Sequence, residues 1–198
     1  MMLIEQTTVP QAALPVQKFR DHLRLGTGFA DDGVQDGLVE SHLRAALAAI
    51  EARIGKALLS RQFKLVLEDW RDPAAQALPL APVSAIDSVT LVEAGGAMQV
   101  VATARYRLRL DRHRPRLVGV GMMLPTVPTD GRVEIVFTAG FGPDWADIPA
   151  DLAQAVLLLA AQFYENRHAS GAVAGVPPMV QALIGKWRNV RVLGGGEA

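Results

Sequence analysis

The densest charge in the chain is "RYRLRLDRHRPR", in which Arg105, Arg107 and Arg109 alternate with Tyr106, Leu108 and Leu110 before Arg112, Arg114 and Arg116 follow. On a strand this alternation sets the first three guanidinium groups on one face and the apolar residues on the other. Arginines this close repel one another unless an anion compensates them. Two readings stand: a solvated polar face, or a positive stripe that meets DNA phosphate or an acidic partner.

A second candidate is "AGFGPDW", which follows the strand-like "RVEIVFT" and precedes a long apolar stretch. Strand, glycine turn and helix also begin a dinucleotide cradle, but that cradle needs G-x-G-x-x-G for a tight turn, close backbone approach and close helix packing. Counted from Gly140 and Gly142, the third position holds Trp145. Pro143 removes an amide, and the rest of the chain is helical in pattern, so no βαβ unit can follow. The stretch reads as a structural turn.

Other chemistry finds no framework. His22, His42, His113 and His168 fall on separate segments without H-x-x-x-H or H-E-x-x-H spacing, and there is no Cys, which removes disulfides, thiolate nucleophiles and Cys-ligated zinc. No G-x-S-x-G elbow is present, and "HASGA" at 168–172 brings a His and a Ser together with nothing to orient a base. Glu68, Asp69, Asp72, Asp144 and Asp147 are plentiful acids, but solvated loop carboxylates are the commoner case. The expectation is no catalytic residue, no cofactor and no metal.

These residues must be positioned by alternating helix, strand and helix zones. "VQKFRDHLRL" predicts a short helix with Val16, Phe19 and Leu23 on one side, stopping at Gly26. Val39, Leu43, Leu47, Ile50 and Ile54 recur at helical spacing, with Asp36 expected to cap the start and Gly55 to close the end. From Arg61 to Ala139 the period changes to two, in "RQFKLVL", "SVTLVEAGGAMQVV", "RYRLRL" and "RVEIVFTA". This predicts an antiparallel β region of about four to six strands, with a hairpin at Gly95 and Gly96. "LPLAPVSAI" reads as an extended connection.

A second long helix follows, with Asp147 and Asp151 at its N-terminus and Pro149 in its first turn. Leu152, Ala155, Val156, Leu159 and Phe163 form one apolar face, while Leu157, Leu158 and Ala161 fill the other side. A helix apolar all round must be covered all round, by its own fold or by a neighbouring subunit. The expected interface residues are Leu152, Val156, Leu157, Leu158 and Phe163. A last helix starts near Pro177 with Val180, Leu183, Ile184 and Trp187 on one face.

The totals agree with a folded protein of one domain or a body with an insertion: 198 residues, half of them hydrophobic, and 20 basic side chains against 20 acidic ones. A protein devoted to gripping DNA usually carries a basic excess, which is missing here. The N-terminus lacks a signal-peptide pattern, and no apolar run approaches the ~20 residues that span a bilayer, so no membrane partner is expected.

Taken in order, these segments resemble the head-tail connector, or adaptor, proteins of long-tailed bacteriophages and gene transfer agents. The likeness runs through "FRDHLRL", "GLVESHLRAALAAIEARIGKAL", "LPLAPVSAIDSVTLVEAGG", "YRL", "VEIVFTAGFGPDWADIPADLAQAVLLLAAQFYENR" and "PPMVQALIGKWRNVRV", about residues 16 to 193. It implies an α+β fold: a helical core of about four helices (1–59 and 141–198) with an inserted antiparallel β region (60–140). It implies a structural role without catalysis, in a ring of about twelve copies below the portal protein. That ring joins the DNA-filled head to the tail or next head-completion protein and lets DNA pass. The place would be the neck of a phage-like particle assembled in the bacterial cytoplasm. Trp187, Arg188, Arg191, Val192 and Leu193 would then face the portal, and Arg105 to Arg116 the DNA or the next ring. A small hydrolase-like enzyme or a DNA-binding assembly factor are the alternatives.

Overall fold

The computed structural model describes residues 1–23, 34–167 and 175–188. Its elements are β1 (Met2–Glu5), α1 (Val16–His22), α2 (Val34–Ile54), β2 (Arg61–Leu67), β3 (Ala75–Ala77), β4 (Val83–Val92), β5 (Met98–Val100), β6 (Tyr106–Arg109), β7 (Arg116–Gly119), β8 (Arg132–Ala139), α3 (Ala150–Glu165) and α4 (Pro178–Ile184). The α+β architecture is the expected one: helices before and after a run of antiparallel strands, with one further strand, β1, ahead of the first helix.

The helices bury their apolar stripes against one another. Val39, Leu43, Leu47, Ile50 and Ile54 of α2 pack with Leu152, Val156 and Leu159 of α3, Phe19 of α1, and Val180 and Ile184 of α4. Gly55 closes α2 with a positive φ of 66°, a conformation that a side chain would strain. Asp36 does not cap α2, because the helix already begins at Val34; it sits in the first turn and binds the Arg20 guanidinium at 3.0 Å. Pro149 likewise stands at the N-cap of α3, one position before its first turn. The expected stop of the first helix at Gly26 lies outside the described residues.

The strands form two antiparallel sheets, ordered β1-β2-β8-β4-β5 and β3-β7-β6. The period-two pattern sets Phe63, Leu65 and Leu67 of β2 beside Val133, Ile135 and Phe137 of β8, and all six are buried. Tyr106, Leu117 and Trp70 close this second core from the side of the smaller sheet. Seven strands, not four to six, lie between Arg61 and Ala139. The surplus comes from the short β3 and β7, which lack enough residues to show a period. β4 also starts at Val83, inside the stretch expected to be a connection. β1 was not expected at all, and it pairs with β2 at Met2↔Val66 through Glu5↔Phe63.

The two cores meet where the chain leaves and re-enters the helices. Ser60 N–H donates to the Gly142 carbonyl at 2.8 Å and Gly140 N–H to the Pro82 carbonyl at 2.9 Å. Gly140 has φ 138°, and a Cβ there would collide with the Ser60 backbone. The glycine turn is therefore a seam between sheet and helices. Beside it the Arg61 guanidinium makes a two-bond contact with the Glu51 carboxylate, at 2.6 and 3.0 Å, and binds Glu5 of β1 at 2.8 Å.

Candidate functional site

The arginine run forms the β6–β7 hairpin, and its tip turns back toward the helices. Arg107 and Arg109 lie on β6 and are exposed, as are Arg112, Arg114 and Arg116. Arg105 is exposed too, but it ends a short 3-10 turn (Thr103–Arg105) and so departs from the strand alternation. On the opposite face Tyr106 is buried and Leu108 half-buried, while Leu110 is 72% exposed. Arg109 and Arg116 are direct cross-strand partners. Like charges in that register repel, so the fold holds two guanidinium groups side by side against their preference.

The hairpin tip is built rather than loose. Asp111 Oδ1 accepts the amide N–H groups of His113 and Arg114, both at 2.7 Å, and these bonds hold its carboxyl below the ordinary range. Lys56 is fully buried, donates from Nζ to the Arg112 carbonyl at 2.6 Å, and lies 3.3 Å from His113 Nδ1. Burial lowers the Lys56 pKa, and the neighbouring Arg112 charge adds to that. His113 is lowered for the same reasons, burial first and then the Lys56 charge. Arg109, Asp111, Arg114 and Arg116 line a surface pocket of about 180 Å³.

Arg112 takes a separate position within the run. Its guanidinium stacks on the Trp187 ring, 4.2 Å from the centroid. Trp187 is itself buried: its Nε1–H donates to Asp151 Oδ2 at 2.7 Å, and its ring meets Phe141 edge to face. Burial alone would raise the Asp151 pKa, but hydrogen bonds from Lys186, Trp187 and the Leu152 amide outweigh it and hold the carboxyl low. Two residues expected on different surfaces, Arg112 and Trp187, are thus in contact. Arg188 is exposed, and Arg191, Val192 and Leu193 lie outside the described residues.

Much of the apolar helix is covered by its own chain. Leu152, Val156 and Leu157 are buried inside the helical core, whereas Leu158 and Phe163 are half-buried at its margin. Of the five expected interface residues, those two leave area for a neighbour. Among the described residues no group of three His, Cys, Asp or Glu side chains could hold a metal ion, and no helix is long and apolar enough to cross a membrane.

Sequence reasoning missed Lys56, the Glu51–Arg61 pair and an acidic bay of Glu68, Glu93 and Asp130 at the far end of the larger sheet. Glu51 did carry a signal, because it lies four residues after Leu47 and next to Ile50 on the buried side of α2. The bay had none, since strand order alone unites its members.

No protein-family model matches the chain, and no curated protein matches it. Solved structures do. A chain from the neck of an empty GTA particle, computed with C6 symmetry, is 58% identical, with a TM-score of 0.90 over 98% of this chain and 99% of that one. A chain from the virion of a native gene transfer agent (GTA) particle is 57% identical, with a TM-score of 0.86 and the same coverage. One from the neck of a native GTA particle, computed with C12 symmetry, is 53% identical, with a TM-score of 0.85.

Proposed function

The chain belongs to the family of these gene transfer agent particle chains, and on that premise we propose that it is a head-tail adaptor that forms a ring below the portal. Its role is structural, in the neck of a phage-like particle. The full-length match at more than half identity is the observation that carries this reading. The match is to structural parts of a particle, and every strongly patterned segment of this chain has an architectural use, so catalysis is not part of the proposal.

Rotational symmetry in the matched necks favours an oligomeric ring, closed by heterologous contacts in which one face of each copy meets a different face of the next. We take twelve copies as the working stoichiometry. A neutral chain suits a ring around passing DNA, because strong phosphate contacts would hold the duplex rather than let it through. The helical body and the β region act as two units of one subunit. Leu158 and Phe163 offer apolar area to the adjacent copy, Arg188 and the chain after it face the portal, and the exposed arginine hairpin faces a charged partner.

Native mass measurement of the purified chain, alone and mixed with its portal protein, tests the reading. A portal-bound ring is expected. A chain that stays monomeric and ignores the portal would overturn it.

A further inference from the structure

The two ends of the β region carry opposite charge. β8 lies between β2 and β4 and runs antiparallel to each, so Arg61, Ala139 and Val83 mark one end of the larger sheet, next to the helices, and Leu67, Arg132 and Val92 mark the other. Glu68 follows β2, Glu93 follows β4, and Asp130 precedes β8, which brings three exposed carboxylates to the far end. With Arg132 they line an open bay of about 570 Å³. The arginine hairpin tip sits at the near end, fixed there by Lys56 and Trp187. Eight residues of β8 at about 3.4 Å each separate the two ends by roughly 25 Å.

The charge sets mirror each other. The pocket at the tip has three guanidinium groups and one carboxylate, and the bay has three carboxylates and one guanidinium. We infer that the Arg109–Arg116 pocket of one copy receives the Glu68–Glu93–Asp130 bay of the next, making a charge-paired head-to-tail contact around the ring. The inference rests on the ring reading above. It commits to a second copy of this chain rather than DNA for two physical reasons. Asp111 stands in the pocket wall and repels any incoming anion, but the bay carries Arg132 among its carboxylates to meet it, whereas a phosphate track carries no cation. A bounded pocket on a braced hairpin also fits a few fixed carboxylates better than a continuous backbone.

A planar ring with this contact has the strands of the β region running around its circumference. The bidentate geometry of guanidinium and carboxylate would set the register between copies, and complementary charge would exclude wrong neighbours. Head-to-tail pairing also accounts for a chain of zero net charge with two strongly charged ends.

Because the chain has no cysteine, Arg116→Cys and Glu93→Cys introduce its only thiols. Oxidising necks assembled from the double variant is expected to give a ladder of covalently linked copies on a non-reducing gel, with no ladder beyond dimers from either single variant. Necks with a complete ring and no ladder overturn the inference and leave the ring reading intact. If wild-type chain enters no ring at all, the ring reading fails and takes the inference with it. A second pair covers loss of folding, monitored by circular dichroism. Arg116→Glu is expected to lower ring occupancy by about tenfold or more, since facing like charges across an interface costs several kcal/mol. Adding Glu93→Arg is expected to restore it. Full occupancy in the single variant, as a DNA-facing pocket would allow, or no recovery in the double, counts against the pairing.

Discussion

The helical body and the β region treat their most conspicuous residues in opposite ways. In the body the apolar surplus of α3 goes mostly into the fold: Leu152, Val156 and Leu157 are buried by α1, α2 and α4, while Leu158 and Phe163, with the smaller Ala153 and Ala161, remain half open. In the β region the conspicuous residues are arginines, and all six stay at the surface. An apolar helix can be satisfied inside one small chain if enough short helices surround it. A run of guanidinium groups cannot be, because burying each one needs a dedicated carboxylate. Among the described residues the single buried arginine, Arg61, has two, Glu51 and Glu5.

Substitutions can break this contrast in graded steps. Glu51→Ala is expected to do most harm, because it strands the Arg61 guanidinium without its main partner and leaves the Leu58 amide unmet. Removing one member of a buried pair costs about 3–5 kcal/mol, readable as a shifted urea midpoint. Leu152→Ala opens a cavity at a fully buried site and should cost about 2–5 kcal/mol in the same assay. Trp187→Phe keeps most of the packing but loses the bond to Asp151, for about 1–3 kcal/mol.

Two further variants sharpen the contrast. Leu158→Glu acts at a half-buried site, so the monomer should still give a cooperative urea transition while ring assembly fails. A stable, complete ring carrying it would remove α3 from the interface. Arg107→Ser, on an exposed strand position, should change stability by no more than about 0.5 kcal/mol. The pH dependence offers the smallest effect. The Asp151 pKa lies below its ordinary value in the folded chain, so its contribution is present above the unfolded carboxylate range and is lost as pH falls through the folded pKa. Asp151→Asn should therefore flatten the acid side of a stability-against-pH curve.

What could be read from the sequence followed the length of each pattern. α2 and α3 repeat their apolar spacing over several turns, and β2 and β8 alternate for seven and eight residues, so their type was plain. β3 and β7, with three and four residues, have no room for a period. β1 reads only as "MLIE", and it is a strand because β2 offers it an edge. The same logic governs the candidate site. The arginines were visible because they are neighbours in sequence, but the acids of the bay are joined by strand order, and the brace of Lys56 under the hairpin spans 56 positions. Contacts of that separation leave no local trace.

Trp187 has a mechanical meaning. It follows α4 by three residues, and its ring is fastened to Asp151 at the root of α3, to Arg112 on the hairpin and to Phe141 in the glycine seam. A pull arriving from the chain beyond Arg188 would meet this knot before it reached the two turns of α4. The load would pass directly into the junction between helices and sheet, where the Ser60–Gly142, Gly140–Pro82 and Phe141–Leu58 backbone hydrogen bonds share it. A subunit tethered by its C-terminal end could bear tension there without fraying from that end.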